Sequence, residues 1–412
     1  MRGFCAAMLA VALVALVPLS ASAGGDSKDF ATWTRVYGDN PNGWTGRAGL
    51  QAVELRNHLY VMGGRTPNPM PTDPFASTLW SDVWESGDLG KTWRQVATNA
   101  WPARAYFQAV TKGSAMFVLG GQNLKAGPPP VCPPGVFSCS DFFNDVWTSI
   151  DGVSWEQLPV IGERWQPRAG FSAIEFKGWI YVLGGSQGDD IAIGGSGRVL
   201  FNDVWRSRDG KRWEQVTANA QWAPRAGAAV VEKGGYLYLL GGEDGFLCVP
   251  GPGGLDCPYF NDVWRSRDGA KWELVTKAAG WSARPGHQCQ VLFGTIICFG
   301  GFGWPALENP AMPPTPDNLQ ANHPRDMWAS WDGKHWYEVP RAPWNAKAQT
   351  SNGMNACIAS STLDVGVFRS ASLTMNSGFR APDKKAGSGS LSSGRASAAA
   401  SSRPSSPAGV ET

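Results

Sequence analysis

Apolar residues along the chain come in short runs with the two-residue period of strands, punctuated by glycine, and no segment carries a convincing helical period. Ala228-Ala229-Val230-Val231, the turn residues Lys233-Gly234-Gly235 and the run Tyr236 to Leu240 read as two antiparallel strands around a tight turn. Asp262 to Ser266 and Lys271 to Val275 read as a third and fourth strand, joined by a turn at Asp268-Gly269. This unit recurs. Paired glycines begin at Gly63, Gly120, Gly184, Gly241 and Gly300, a period of 57–64 residues. Four antiparallel strands repeated at such a period predict the blades of a β-propeller.

Three further columns follow the same period. Asp-Val-Trp stands at Asp82, Asp145, Asp203 and Asp262, with Asp326-Met327-Trp328 as a variant. Ser-x-Asp-Gly-x-x-Trp starts at Ser149, Ser207, Ser266 and Ser330, with one extra residue in the copy at Ser86. Trp-x-x-Arg gives Trp44/Arg47, Trp101/Arg104, Trp165/Arg168, Trp222/Arg225 and Trp281/Arg284, with Trp344/Lys347 as a sixth variant. Most of the 21 tryptophans fall in these columns, so the excess of Trp is repeat architecture.

The glycine doublet followed by Asn-Asp-Val-Trp and a later Trp resembles the Kelch repeat, and the Ser-x-Asp-Gly-x-x-Trp turns look like the Asp boxes of sialidase-type propellers. The resemblance covers residues 27–347. It implies the fold and says little about activity, because both motifs are structural in their families.

The ends set the blade count. Ser27 to Trp33 has Asp-box spacing with Phe30 in the glycine position, so Thr32–Tyr37 reads as an outer strand with no inner strands before it. An all-β propeller of six four-stranded blades is therefore expected, its last blade closed by the N-terminal strand and begun by Trp344/Lys347. That blade is degenerate: Gly353 to Phe368 suits a hairpin but lacks the glycine doublet, and no Asp-Val-Trp follows. The domain reading is 24–347 for the propeller, 348–376 for the remainder of the last blade, and 377–412 for a Ser/Ala/Gly/Pro-rich tail expected to be disordered.

Residues 1–23 read as a secretory signal: Arg2, an apolar run from Phe4 to Leu19, then Ala21-Ser22-Ala23. That run is too short to span a bilayer, and no other approaches membrane length. A secreted product, extracellular or periplasmic, is expected. A net charge of +2 argues against nucleic acid as partner. In an oxidising compartment the cysteines should pair as Cys132–Cys139, Cys248–Cys257 and Cys289–Cys298, leaving Cys357. The last pair falls on facing strands if the turn is Phe293-Gly294.

Strand order places the b–c loops and the d–a connections on one face. The b–c loops hold all the length variation, at about 65–79, 122–142, 186–200, 243–259 and 302–324. The d–a connections carry Trp101, Trp165, Trp222 and Trp281 with Arg47, Arg104, Arg168, Arg225 and Arg284, the candidate binding residues. Two roles stay open for the arginines. They can contact a ligand, as the Kelch resemblance implies, or pair with the repeated Asp of Asp-Val-Trp inside each blade.

No phosphate loop or hydrolase motif is present, no catalytic residue is identified, and no metal or cofactor is expected. Asp189, Asp190, Glu243 and Asp244 sit in loops as available acids. His287 and His323 are the two histidines able to share the b–c face. The leading reading is a secreted binding module for a protein or glycan at the b–c/d–a face. The alternatives are a carbohydrate-active enzyme, like Kelch-type sialic-acid isomerases or copper-radical oxidases, and a structural scaffold without a small ligand.

Overall fold

The computed structural model describes residues 43–67, 77–191, 194–245, 249–251, 254–256, 258–301, 324 and 326–339. They form five four-stranded antiparallel sheets, the blades of a β-propeller. Blade 1 is β1 (Gln51–Leu55), β2 (His58–Pro67), β3 (Ser77–Ser86) and β4 (Arg94–Ala97). Blade 2 is β5 (Gln108–Lys112), β6 (Ala115–Asn123), β7 (Asp141–Ser149) and β8 (Glu156–Gln157). Blade 3 is β9 (Ser172–Phe176), β10 (Trp179–Leu183), β13 (Val204–Ser207) and β14 (Glu214–Thr217), with the small ribbon β11 (Ser186–Gln187) and β12 (Val199–Leu200) in its b–c loop. Blade 4 is β15 (Ala229–Lys233), β16 (Tyr236–Glu243), β19 (Tyr259–Ser266) and β20 (Trp272–Thr276), with β17 (Val249–Gly251) and β18 (Gly254–Asp256) as its loop ribbon. Blade 5 is β21 (Gln288–Leu292), β22 (Thr295–Phe299), β23 (Met327–Ser330) and β24 (Tyr337–Glu338). The first strands of successive blades are neighbours, and they line a central channel of about 580 Å³.

The a–b turns are two-residue hairpins. In blade 5, Leu292 pairs with Thr295 around Phe293-Gly294, both with positive φ (48° and 74°). That turn twists with the strands and sets Cys289 opposite Cys298. The c–d turns are built from Ser-x-Asp-Gly-x-x-Trp. In blade 2 the Gly152 N–H donates to Ser149 Oγ (2.8 Å), the N–H groups of Val153 and Ser154 donate to Asp151 Oδ1 (both 2.9 Å), and Trp155 Nε1 donates to the Gly152 carbonyl (3.0 Å). The same bonds recur at Ser207–Trp213 and Ser266–Trp272.

Four of the core clusters are shared between neighbouring blades, as where Val53, Tyr60 and Val83 of blade 1 pack with Phe107, Met116 and Val118 of blade 2, and a fifth lies within blade 5. The turn glycines lock this packing. A Cβ on Gly269 of blade 4 would stand 2.7 Å from the Tyr181 ring of blade 3.

Expectations for the signal segment, the Thr32–Tyr37 strand, Trp344/Lys347, the 353–368 hairpin, the tail and Cys357 concern residues outside those described. The Cys248–Cys257 pairing and His323 also lie there.

Candidate functional site

The Trp-x-x-Arg column occupies the blade interiors. The five arginine side chains expose between 0 and 3% of their surface. Arg168 shows the arrangement in full. Its Nη1 donates to Asp203 Oδ1 (2.6 Å) and to the Gly184 carbonyl (2.9 Å), Nη2 to Asp203 Oδ2 (3.0 Å) and Nε to the Gln166 carbonyl (3.0 Å). The guanidinium lies 3.8 Å over the Phe201 ring, and Asp203 Oδ2 also accepts from Trp205 Nε1 (2.8 Å). Arg47–Asp82, Arg104–Asp145, Arg225–Asp262 and Arg284–Asp326 repeat the pair. The pairing of Arg with the Asp of Asp-Val-Trp is thus present in all five blades.

The arginine backbone stitches neighbouring blades. The Arg168 N–H donates to the Phe143 carbonyl of blade 2 (3.0 Å), and its own carbonyl accepts from the Gly121 N–H (2.9 Å). Gly121 is the second residue of a glycine doublet, and a Cβ there would stand 2.6 Å from Phe107 Cβ. A doublet is required because both residues have positive φ (53° and 97°), and a Cβ on Gly120 would stand 2.9 Å from the Phe171 ring of blade 3.

Trp101, Trp165, Trp222 and Trp281 are buried as well. Each packs edge-to-face on the Trp of its own blade's c–d turn, as in Trp165 on Trp213 (centroids 5.9 Å, planes at 85°). What the solvent meets on the b–c face is therefore the loops.

Two of those loops are joined. Disulfide Cys132–Cys139 closes the blade 2 loop. The N–H groups of Phe137 and Ser138 donate to the Gly194 carbonyl of the blade 3 loop (2.7 and 3.0 Å), and Ser140 donates from its N–H and Oγ to Asp189 (2.6 and 2.8 Å). From the other side Arg198 ties the blade 3 loop to blade 4: Nη2 donates to Glu243 Oε1 (2.6 Å) and Nη1 to Oε2 (3.0 Å), with Asp190 3.7 Å away. Burial pushes Glu243 up, the carboxylates of Asp190 and Asp244 add to this, and Arg198 opposes it. Burial first and the Glu243 charge second push the neighbouring Tyr259 phenol up. These contacts hold a rigid platform across blades 2 to 4. It exposes large apolar side chains: Val131 (53%), Phe137 (41%), Ile191 (74%) and Val199 (59%). The sequence marked the loops by their length but gave no sign of which residues join them. Of the loop acids it singled out, Asp189, Asp190 and Glu243 are platform struts.

His287 departs from its expected place. It precedes β21 inside blade 5, 2% exposed and packed on Trp281 (centroids 5.1 Å), rather than on the b–c face. Burial, helped by the Arg284 charge, drives its pKa down to about 3, so the ring is neutral. One of its ring nitrogens lies within 4.8 Å of the sulfurs of Cys289 and Cys298, which are joined in a disulfide.

Similarity to known proteins agrees with this architecture. Residues 49–301 match the model of the KLHDC2/KLHL20/DRC7 Kelch-repeats domain. Over 135 residues the chain is 30% identical to the flagellar outer-arm dynein alpha chain of Chlamydomonas reinhardtii, aligning 31% of this chain with 2% of that protein. It is 25% identical over 193 residues to beta-scruin of Limulus polyphemus, covering 47% of this chain and 18% of scruin. It is 24% identical over 210 residues to the F-box/kelch-repeat protein SKIP30 of Arabidopsis thaliana, covering 47% and 57% respectively. The chain thus spans only part of each of these relatives. With the glycine doublets, the Asp-Val-Trp column and five four-stranded blades in place, the chain belongs to the Kelch-repeat family.

Proposed function

We propose that the protein is an exported Kelch propeller that binds a partner protein on its b–c loop face, at the platform made by the blade 2 and blade 3 loops. Kelch propellers are typically protein-interaction modules, and the observation that carries the reading here is the platform itself. Val131, Phe137, Ile191 and Val199 stay in solvent although their loops are held rigid by a disulfide and by bonds to both neighbouring blades. An exposed apolar surface on braced loops is the anatomy of a protein interface. The tryptophans expected to stack on a glycan, Trp101, Trp165, Trp222 and Trp281, are buried, so the protein reading is preferred. Export is supported by the apolar leader in the sequence and by two disulfides among the described residues, Cys132–Cys139 and Cys289–Cys298. A sixth blade, begun at Trp344 and completed by the strand at Thr32–Tyr37, belongs to this proposal as the closure of the ring.

The test is affinity capture from the secreted fraction of the source cells, comparing wild type with Phe137→Asp/Ile191→Asp. The expected result is a partner retained by wild type and lost by the variant, with unchanged melting temperature. A partner retained equally by both would overturn the platform assignment. Glycan-array binding that survives the double change would overturn the protein reading.

A further inference from the structure

We propose that, once the Cys289–Cys298 disulfide is reduced, His287, Cys289 and Cys298 form a three-donor site for a thiophilic monovalent cation, Cu(I). Blade 5 breaks the repeat at three positions, and all three are metal-binding residue types. The position of His287 is occupied by Leu50, Phe107, Phe171 and Ala228 in the other blades. The cross-strand pair Cys289↔Cys298 replaces Ala52↔Val61, Ala109↔Val118, Ala173↔Val182 and Val230↔Leu239. An apolar core position needs none of these substitutions.

Placement brings the three side chains together. His287 and Cys289 are two apart on one chain direction and so share a face, and Cys298 stands directly across from Cys289. Their donor atoms lie within 4.8 Å of one another, enclosed by the core that includes Trp281 and Leu240. A second observation points to a ligand. His287 is buried, and neither ring nitrogen makes a well-formed hydrogen bond, although the Arg284 carbonyl lies near enough to favour its protonated form weakly. Buried imidazoles ordinarily have a partner for each nitrogen. An imidazole with no well-formed bond at either nitrogen, beside two sulfurs, has a lone pair to offer a metal.

The donor set selects the cation. Structural zinc takes four ligands in tetrahedral array. Among the described residues this group offers three, two of them sulfur and none of them carboxylate. Sulfur-rich, low-coordinate sites favour Cu(I). The disulfide and the metal exclude one another, which makes the site redox-gated. A dithiol reductant gives two electrons and two protons to the S–S bond, yielding two thiols and its own disulfide. Cu(I) then binds both sulfurs, releasing their two protons to solvent, with its oxidation state unchanged.

The experiment uses the full chain, reduced anaerobically with a phosphine and titrated with Cu(I) against a chromophoric chelator. Cys289→Ala/Cys298→Val and His287→Phe copy the residues that other blades carry at these positions, so both are built to fold. Reduced wild type should hold one more equivalent than the double variant, oxidised wild type should lack that equivalent, and Cu(I) should raise the melting temperature of reduced wild type alone. His287→Phe should weaken the site by more than the roughly 10–100-fold that loss of an outer-shell partner costs. Equal stoichiometry in wild type and double variant, or unchanged affinity in His287→Phe, overturns the site. Preference for Zn(II) over Cu(I) overturns the choice of cation. Should the double variant fail to fold, copper X-ray absorption of reduced wild type decides: sulfur with one nitrogen upholds the site, and sulfur alone overturns it.

Discussion

Replacing Arg168 by alanine removes a fully buried cation whose four hydrogen bonds span three parts of blade 3. Three acceptors lose their donor: Asp203, the Gly184 carbonyl and the Gln166 carbonyl. Asp203 keeps the bond from Trp205 Nε1, which holds the cost below that of a wholly isolated charge. Breaking one side of a buried ion pair typically costs about 3–5 kcal/mol, and the retained bond argues for the lower end, about 3 kcal/mol. For a chain of this size, roughly 2 °C per kcal/mol converts this to a fall of about 6 °C in melting temperature. Arg168→Lys keeps the charge but not the planar fork, and should fall between wild type and alanine. Arg168→Met/Asp203→Leu removes both charges and should recover most of the loss, because the desolvation penalty disappears with the pair. The assay is urea unfolding of all four proteins, with partner binding measured in parallel. Loss of less than about 1 kcal/mol in Arg168→Ala together with weakened binding would refute the reasoning. It would return the arginine to the role of ligand contact.

Gly269→Ala should lower the melting temperature, because the site has φ +78° and the new Cβ would meet the Tyr181 ring at 2.7 Å. A cost of about 1–3 kcal/mol is expected, and an unchanged midpoint would show that the blade contact yields. Stability should fall in acid, since burial alone would raise Asp88 but the Thr92 and Ser86 hydrogen bonds win and lower it from 3.8 to about 2. Asp151, held down chiefly by the Ser154 N–H, is also lowered, as are Asp209, Asp268 and Asp332, where hydrogen bonds in the turn outweigh burial. A depressed carboxylate stabilises the fold above its unfolded pKa, so the loss should run from about pH 4 down to about pH 2. Denaturant midpoints that stay flat across that window would contradict the shifts.

The strands, their order and their turns were legible because each is a local pattern written five times. Register is an example: placing the blade 5 turn at Phe293-Gly294 was enough to pair Cys289 with Cys298. The Arg–Asp pair was legible as one of two options, since a fork and a carboxylate recurring at matched positions suggest each other. The choice between the options needed burial, which no column of identical residues reveals. The loop platform was not legible. Phe137 meets Gly194 and Arg198 meets Glu243 across blade boundaries, through residues that occur once and follow no period. His287 was legible only as a histidine at the start of a strand, since its burial against Trp281 is a matter of packing. Comparison with Leu50, Phe107, Phe171 and Ala228 places it in the core.

The sixth Trp-x-x-basic element carries this logic beyond the described blades. Lys347 stands where the other five have arginine, and no Asp-Val-Trp follows it in the sequence. The two departures belong together. An arginine left in the blade without its Asp, or an Asp without its arginine, would strand a charge in the interior at a cost well above that of losing both. Lysine lacks the fork that bonds a carboxylate and a glycine carbonyl at once, a fork that only the paired Asp calls for. The backbone of this residue is another matter. In blades 2 to 5 the second glycine of the preceding doublet donates to the carbonyl of the arginine residue, as Gly242 does to Arg284 (3.1 Å). Any residue type supplies that carbonyl. A blade that shed its internal ion pair would still offer the hydrogen bond that its neighbour uses, so Lys347 is no obstacle to the sixth blade proposed above.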